Sequence, residues 1–239
     1  YWGWNRGWFT DSDINFKGDN YDITLNDIKA KDRQSEFGID PYFNPLKFTI
    51  PQYNFRIGYH FKKNIDFSFG IDHMKYVVEQ NQQSIINGSI AINSNYDGQY
   101  ANDTISISED FLKFEHTDGL NYVNLEARNS GIILEFKNWS IKHLEGIGLG
   151  LMIPKTNTTL MGMNRHDDFH FSGYGLSGLI GLKFLFKEKY FIQLESKSGF
   201  INMPNIRTTN SKTDRASQHF FFIQQNIVFG GFITLNKKE

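Results

Sequence analysis

The sequence predicts an all-β fold, a closed antiparallel transmembrane β-barrel of eight strands in one domain spanning residues 1–239. Three observations carry the prediction. Residues 52 to 71, QYNFRIGYHFKKNIDFSFGI, form two period-two segments joined by Lys62-Lys63-Asn64. Their odd positions collect Tyr53, Phe55, Ile57, Tyr59, Phe61, Ile65, Phe67, Phe69 and Ile71 on one apolar face. Their even positions collect polar and small residues, from Asn54 and Arg56 to Gly70 and Asp72. Composition agrees, with 16% aromatics, 23 Phe and only 5 Pro, a profile that suits strands better than helices. Finally, short turns and long polar segments alternate along the chain, which places short turns on one rim and long loops on the other. That asymmetry belongs to membrane barrels, and it makes lipid the solvent of the apolar face. The competing soluble barrel would put the same face in its core and predicts no such sorting of loops.

Tyr1 to Thr10 alternates Trp2, Trp4 and Trp8 with Gly3, Asn5 and Gly7, a strand with an aromatic belt. A start on such a segment is what a processed or trimmed chain would show. Arg6 falls on the Trp face, where lipid contact demands a rim position, a bulge or snorkelling. Residues 11 to 51, punctuated by Gly18, Gly38, Pro41 and Pro45, are expected to form a long loop with a local strand near 21 to 28. The second and third strands are 52–61 and 65–79. Residues 80 to 110 form another polar loop with a minor strand near 84 to 92. The fourth strand is 111–128, although Asp118-Gly119 is a hairpin dipeptide. Residues 130 to 140 fit a turn with strand on either side.

The fifth strand, 139–153, sets Ile147, Leu149 and Leu151 against Gly146, Gly148 and Gly150, a glycine row that leaves room for bulky neighbours inside a narrow barrel. A loop at 154–168 leads to strands 169–186 and 190–201 around Lys187-Glu188-Lys189. A last loop at 202–218 leads to strand 219–235. Ten strands, with 84–92 added and 111–128 split, is the alternative count.

The stretches YWGWNRGWF (1–9), YDITLNDIKAKDR (21–33), IPQYNFRIGY (50–59), DHMKY (72–76), EDFLKFEHTDGLNY (109–122), PKTNTTL (154–160) and ASQHFFF (216–222) resemble a largely uncharacterised family of small outer-membrane β-barrel proteins of Gram-negative bacteria. The resemblance implies the bacterial outer membrane, with periplasmic turns and extracellular loops. It implies no reaction.

Formal net charge is −1, pI about 6.7 and mean hydropathy −0.45, so nothing draws the chain toward nucleic acid, and no basic stripe interleaves with aromatics. No run of about 18 apolar residues offers a transmembrane helix. The absence of cysteine excludes disulfides and thiolate metal sites.

The inward faces collect Arg56, His60, Asp66, Asp72, Glu126, Arg128, Lys183, Glu195 and Lys197, expected to fill the lumen as paired charges rather than to line a channel. A candidate surface site gathers His116, Asp118, His166, Asp168 and His170 near the long-loop rim. Imidazole and carboxylate at 166–170 suit a divalent ion, but the spacing is unspecific, and no metal and no cofactor are expected. His116-Thr117-Asp118 with Glu126 supplies parts of an acyl hydrolase acting on lipid A or phospholipid. Against it, no serine nucleophile is present in the segment, and neighbours 116 and 117 point to opposite faces of a strand. The leading expectation is an accessory component of an envelope assembly. Its expected partners are outer-membrane lipid, lipopolysaccharide and a membrane-protein complex, with no nucleic acid.

Overall fold

Period-two alternation becomes antiparallel strands in the computed structural model, which describes residues 1–44, 46–47, 50–163 and 166–234. Pro45 and the Leu235 end of the last expected strand lie outside the described residues. In chain order the strands are β1 (Trp2–Phe9), β2 (Ser12–Gly18), β3 (Tyr21–Ile28), β4 (Ala30–Lys31), β5 (Tyr53–Lys62), β6 (Ile65–Val78), β7 (Gln83–Ile90), β8 (Gly98–Ser106), β9 (Leu112–Glu135), β10 (Trp139–Met152), β11 (Lys155–Leu160), β12 (His166–Phe169), β13 (Gly173–Phe186), β14 (Tyr190–Arg207) and β15 (Arg215–Gly231). A one-turn helix, Ile39–Tyr42, lies between β4 and β5.

Strands β1, β5, β6, β9, β10, β13, β14 and β15 pair in that order, and β1 pairs again with β15 to close an eight-stranded barrel. These are the eight segments expected. The wall is inverted relative to a soluble protein: Ile57 is 67% exposed and Ile147 72%, whereas Arg56 is 2% exposed. One register row shows it plainly, since Ile57, Phe69, Leu125, Leu149, Leu176, Phe200 and Phe221 pair successively around seven strands, all pointing outward. Only lipid makes such a band stable.

Two alternatives fail and one expectation needs correction. The hairpin reading of Asp118-Gly119 fails, since the expected strand 111–128 runs through it as β9, with Gly119 at φ 129° beside a register shift between Met74 and Tyr76 on β6. The strand continues to Glu135, and the turn falls at Phe136, whose N–H donates to the Trp139 carbonyl at 2.8 Å. The ten-strand count also fails, because the minor strand near 84–92, here β7, pairs with β3 and β8 and never enters the ring.

The long loops at 11–51, 80–110, 154–168 and 202–218 need correction: the strands expected near 21–28 and 84–92 are present as β3 and β7, and β2, β8, β11 and the ends of β14 and β15 take up much of the remaining length. β2 prolongs β1 beyond the band: the Thr10 N–H donates to the Phe221 carbonyl, and Ile14 to Lys17 then pair with Gln218 to Arg215. From there β2, β3, β7 and β8 form a sheet standing on the barrel. Ile14, Phe16, Ile23, Leu25 and Ile86 point into a core shared with Phe114, Leu120, Phe220 and Phe222 at the top of the barrel. Asp13, Asn15 and Lys17 alternate with them, so the mean polarity of the segment conceals an amphipathic hairpin. The barrel seam is narrow there, with β1 and β5 pairing only over Trp2–Trp4 and Phe55–Tyr53. Above it the Gly7 N–H donates to Asp32 Oδ2 at 2.9 Å and Gln34 Nε2 to the Asn5 carbonyl at 3.2 Å, which occupies the open edge.

Candidate functional site

Inward positions on β5, β6 and β9 meet those on β14 and β15 across the lower lumen. Glu126 on β9 lies 2.9 Å from Arg56 on β5, 2.5 Å from Arg128 two residues along its own strand, and 2.7 Å from Lys197 on β14. Asp72 on β6 receives Lys197 at 2.5 Å and Arg56 at 3.4 Å, and Glu195 receives Arg128 at 2.7 Å. Three cations therefore meet three carboxylates, all 4% exposed or less. Neutral groups take up the remaining valences: Asn54 Nδ2 and Asn124 Nδ2 donate to Asp72 at 2.5 and 3.0 Å, and Asn226 Nδ2 donates to Glu195 at 3.1 Å. Such pairing is what permits charges this deep, because an unpaired buried ion costs several kcal/mol.

The glycine row supplies the volume. A Cβ on Gly148 would come within 3.0 Å of the Glu126 side chain and 2.7 Å of Ser177 Oγ, and one on Gly146 within 3.0 Å of the Arg128 side chain. Tyr1 completes the plug; its hydroxyl accepts from Arg56 Nε at 3.1 Å and from Arg128, whose guanidinium lies 5.2 Å from the tyrosine ring centre. Tyr1 shares the parity of Gly3, Asn5 and Gly7, yet an aromatic ring beside the tryptophans does not stand out in the sequence as a lumen residue.

Seven of the nine expected lumen residues are deeply buried, six of them in this network. Lys183 sits lower, its ammonium 4.9 Å from the Phe191 ring centre and 5.6 Å from that of Phe232. His60 and Asp66, which are register partners, are not part of the buried core. They line the short-turn mouth, where His60 is exposed and packs against Phe232, and the space narrows to a cavity of about 80 Å³.

The expected surface site does not assemble. His116 is 0% exposed, packed against Phe114 and Tyr76 in the upper core, with Nδ1 3.0 Å from Thr156 Oγ1. Register explains it: His116 pairs with Tyr76 on β6, so it lies inside where the sheet closes over the barrel. Asp118 is exposed and ion-paired with Lys155 at 2.8 Å. Thr117 faces Glu115 rather than His116, so no nucleophile, base and carboxylate stand in order. Asp168 is exposed on β12, and His170 Nε2 accepts from the Arg207 N–H at 2.7 Å and lies 2.9 Å from Ser172 Oγ. The His166 side chain lies outside the described residues. Among the described residues, no three His, Asp or Glu side chains are grouped to hold a metal ion.

Burial, with a smaller electrostatic influence of His170, pushes the His116 imidazole down to about 3. In the unfolded chain it titrates near 6.5. Between those values only the unfolded state takes the proton, so stability falls as pH drops from about 6.5 toward about 3, by up to about 1.4 kcal/mol per pH unit. His116→Leu is expected to flatten that dependence, seen as amide-exchange protection of β9 and β11 at pH 5 against pH 7. Protection in the unsubstituted protein that stays constant down to pH 4 would contradict a buried neutral imidazole.

No protein-family model matches the chain, and no curated protein matches it. Among solved structures, Ail, the attachment invasion locus protein of Yersinia pestis, is similar in two crystal structures. One, in complex with the heparin analogue sucrose octasulfate, shares 11% identity with a TM-score of 0.28, covering 91% of this chain and 97% of that one. The other shares 11% identity with a TM-score of 0.27 over the same shares. The fold assignment rests on the strand pairing itself.

Proposed function

We propose that this chain is a non-conducting barrel of the bacterial outer membrane that serves an envelope assembly as a docking component through its long-loop side. One observation carries the reading: the sheet β2-β3-β7-β8 is mounted on the barrel over a continuous apolar core and ends in β8, whose outer edge meets no strand among the described residues. A rigidly held edge presents its N–H and C=O groups to an extended segment of a partner, the geometry of strand addition. The exposed apolar wall supports the compartment, since closed barrels with this band occur in outer membranes, where lipid and lipopolysaccharide surround them. The charge network and the upper core, stacked one above the other in the lumen, support the absence of conduction.

Affinity purification from native membranes tests the docking role. The full chain is expected to retain a stoichiometric partner, and a chain lacking residues 83–106 to lose it while keeping the heat-dependent gel mobility of a folded barrel. Recovery of the full chain alone would reject the reading. In planar bilayers the purified protein is expected to give no discrete conductance steps, and reproducible steps would reject a closed lumen.

A further inference from the structure

The buried charges of the lumen do not balance. Arg56, Arg128 and Lys197 meet Asp72, Glu126 and Glu195 in equal number, and all six are buried. Lys183, nearer the short turns, is 7% exposed and adds a fourth buried cation. Among the described residues it makes no salt bridge and no hydrogen bond, and its ammonium faces the rings of Phe191 and Phe232. Ring faces offset part of the desolvation of an ammonium, but they carry no counter-charge. Nor do the groups at the mouth supply one. Asp66 and Lys142, the register partner of Lys183, are half-buried and opposite in sign, and His60 is exposed.

A space adjoins this excess cation. The cavity of about 80 Å³ at the short-turn mouth is lined by Lys183 together with Arg56, Ser68, Phe191 and Phe232. Arg56 engages Glu126 and Asp72 through Nη2 and Tyr1 through Nε, which leaves its buried Nη1 without a hydrogen-bond partner. Ser68 Oγ is buried and without a partner as well. Three residues with hydrogen-bonding capacity to spare therefore border one small space. An ammonium has three N–H groups to place and accepts none in return. Water in the cavity can take up such hydrogen bonds, but it leaves the excess charge in place.

We propose that this cavity is a binding site for a small monovalent carboxylate that enters from the short-turn side. Three features select the class. The excess is a single positive charge, which one carboxylate cancels. The volume admits a carboxylate with a short tail and excludes a nucleotide or a sugar. The wall is divided, with Lys183 and Ser68 on the polar side and the rings of Phe191 and Phe232 on the other, so an anion with a small apolar end matches both parts. A free organic acid and the last residue of an extended peptide present the same group. Asp66 at the mouth opposes an incoming anion and sets its affinity without holding it. The site lies at the opposite end of the barrel from β8, so its test is independent of the docking role.

The test titrates the full chain, in micelles free of chloride and phosphate, with isotopically labelled acetate. Binding is read as protein-dependent broadening of the carboxylate resonance. Saturable binding is expected, weakened about tenfold or more in Lys183→Met, which removes the counter-charge and keeps most of the volume. Asp66→Asn is expected to tighten it about twofold or more by removing the repulsion at the mouth, an effect that a merely structural Lys183 would not produce. Folded state is read throughout from heat-dependent gel mobility. Displacement of the label by a blocked tripeptide with a free C-terminal carboxylate, and not by its amide, assigns the site to peptide ends, and displacement by short organic acids alone assigns it to free acids. Binding by folded Lys183→Met equal to that of the unsubstituted chain, an unchanged affinity in Asp66→Asn, or chloride displacing the label as readily as acetate would overturn the proposal.

Discussion

Replacing Glu126 with alanine is expected to cost more stability than any other single change in the lumen. Among the described residues its carboxylate is the one group that touches Arg56, Arg128 and Lys197 together, and all four side chains are buried. Removing it leaves three cations facing two carboxylates, Asp72 and Glu195. Breaking a buried pair from one side typically costs about 3–5 kcal/mol, because the partner keeps its desolvation penalty without its compensation. The loss should appear as a lower free energy of unfolding when the barrel is denatured by urea in lipid vesicles. A compensating change separates charge balance from shape. Glu126→Gln combined with Lys197→Met restores neutrality and keeps most of the volume, and it is expected to recover the larger part of the loss. A Glu126→Ala barrel within about 0.5 kcal/mol of the original, the range of an innocuous surface change, would show that water rather than counter-charge neutralises the lumen cations.

The same residues show what the linear sequence carries and what it does not. Parity alone separates Arg56, Asp72, Glu126, Arg128, Glu195 and Lys197 from the lipid face, because a strand has only two faces and the hydrophobic pattern marks one of them. Parity says nothing of height along the barrel. His60 and Asp66 share the inward face with Arg56, yet a place four register pairs nearer the turn puts them at the mouth. His116 presents the opposite case: it lies in a segment with charged neighbours, and pairing with Tyr76 carries it into an apolar interior.

Strands are expected near 21–28 and 84–92, but 12–18 and 98–106 read as loop because their average polarity is high; Ile14, Phe16, Ile23, Leu25 and Ile86 nevertheless supply one buried face, and one face is all an antiparallel sheet over a core requires.

The inversion of the wall makes the second large expected effect a matter of solvent. Ile57→Arg is expected to impair insertion and lower stability by about 2–4 kcal/mol, the penalty for a cation near the middle of the lipid-facing band. Ile57 pairs with Phe69 in a row that stays apolar across seven strands, so no neighbouring polar group can receive the guanidinium. The same substitution at Ile85, 37% exposed on the sheet beyond the barrel, removes a comparable side chain where water is the solvent. It is expected to change stability by no more than about 0.5 kcal/mol. The comparison is the measurement: unfolding free energies of the two variants in vesicles, with insertion followed by protease protection. If the outer wall were hydrated, Ile57→Arg would be as innocuous as Ile85→Arg, because a 67% exposed side chain in water loses little by gaining a charge. A difference of 2 kcal/mol or more between them, of the size set by the bilayer scale, is therefore a direct reading of lipid against Ile57.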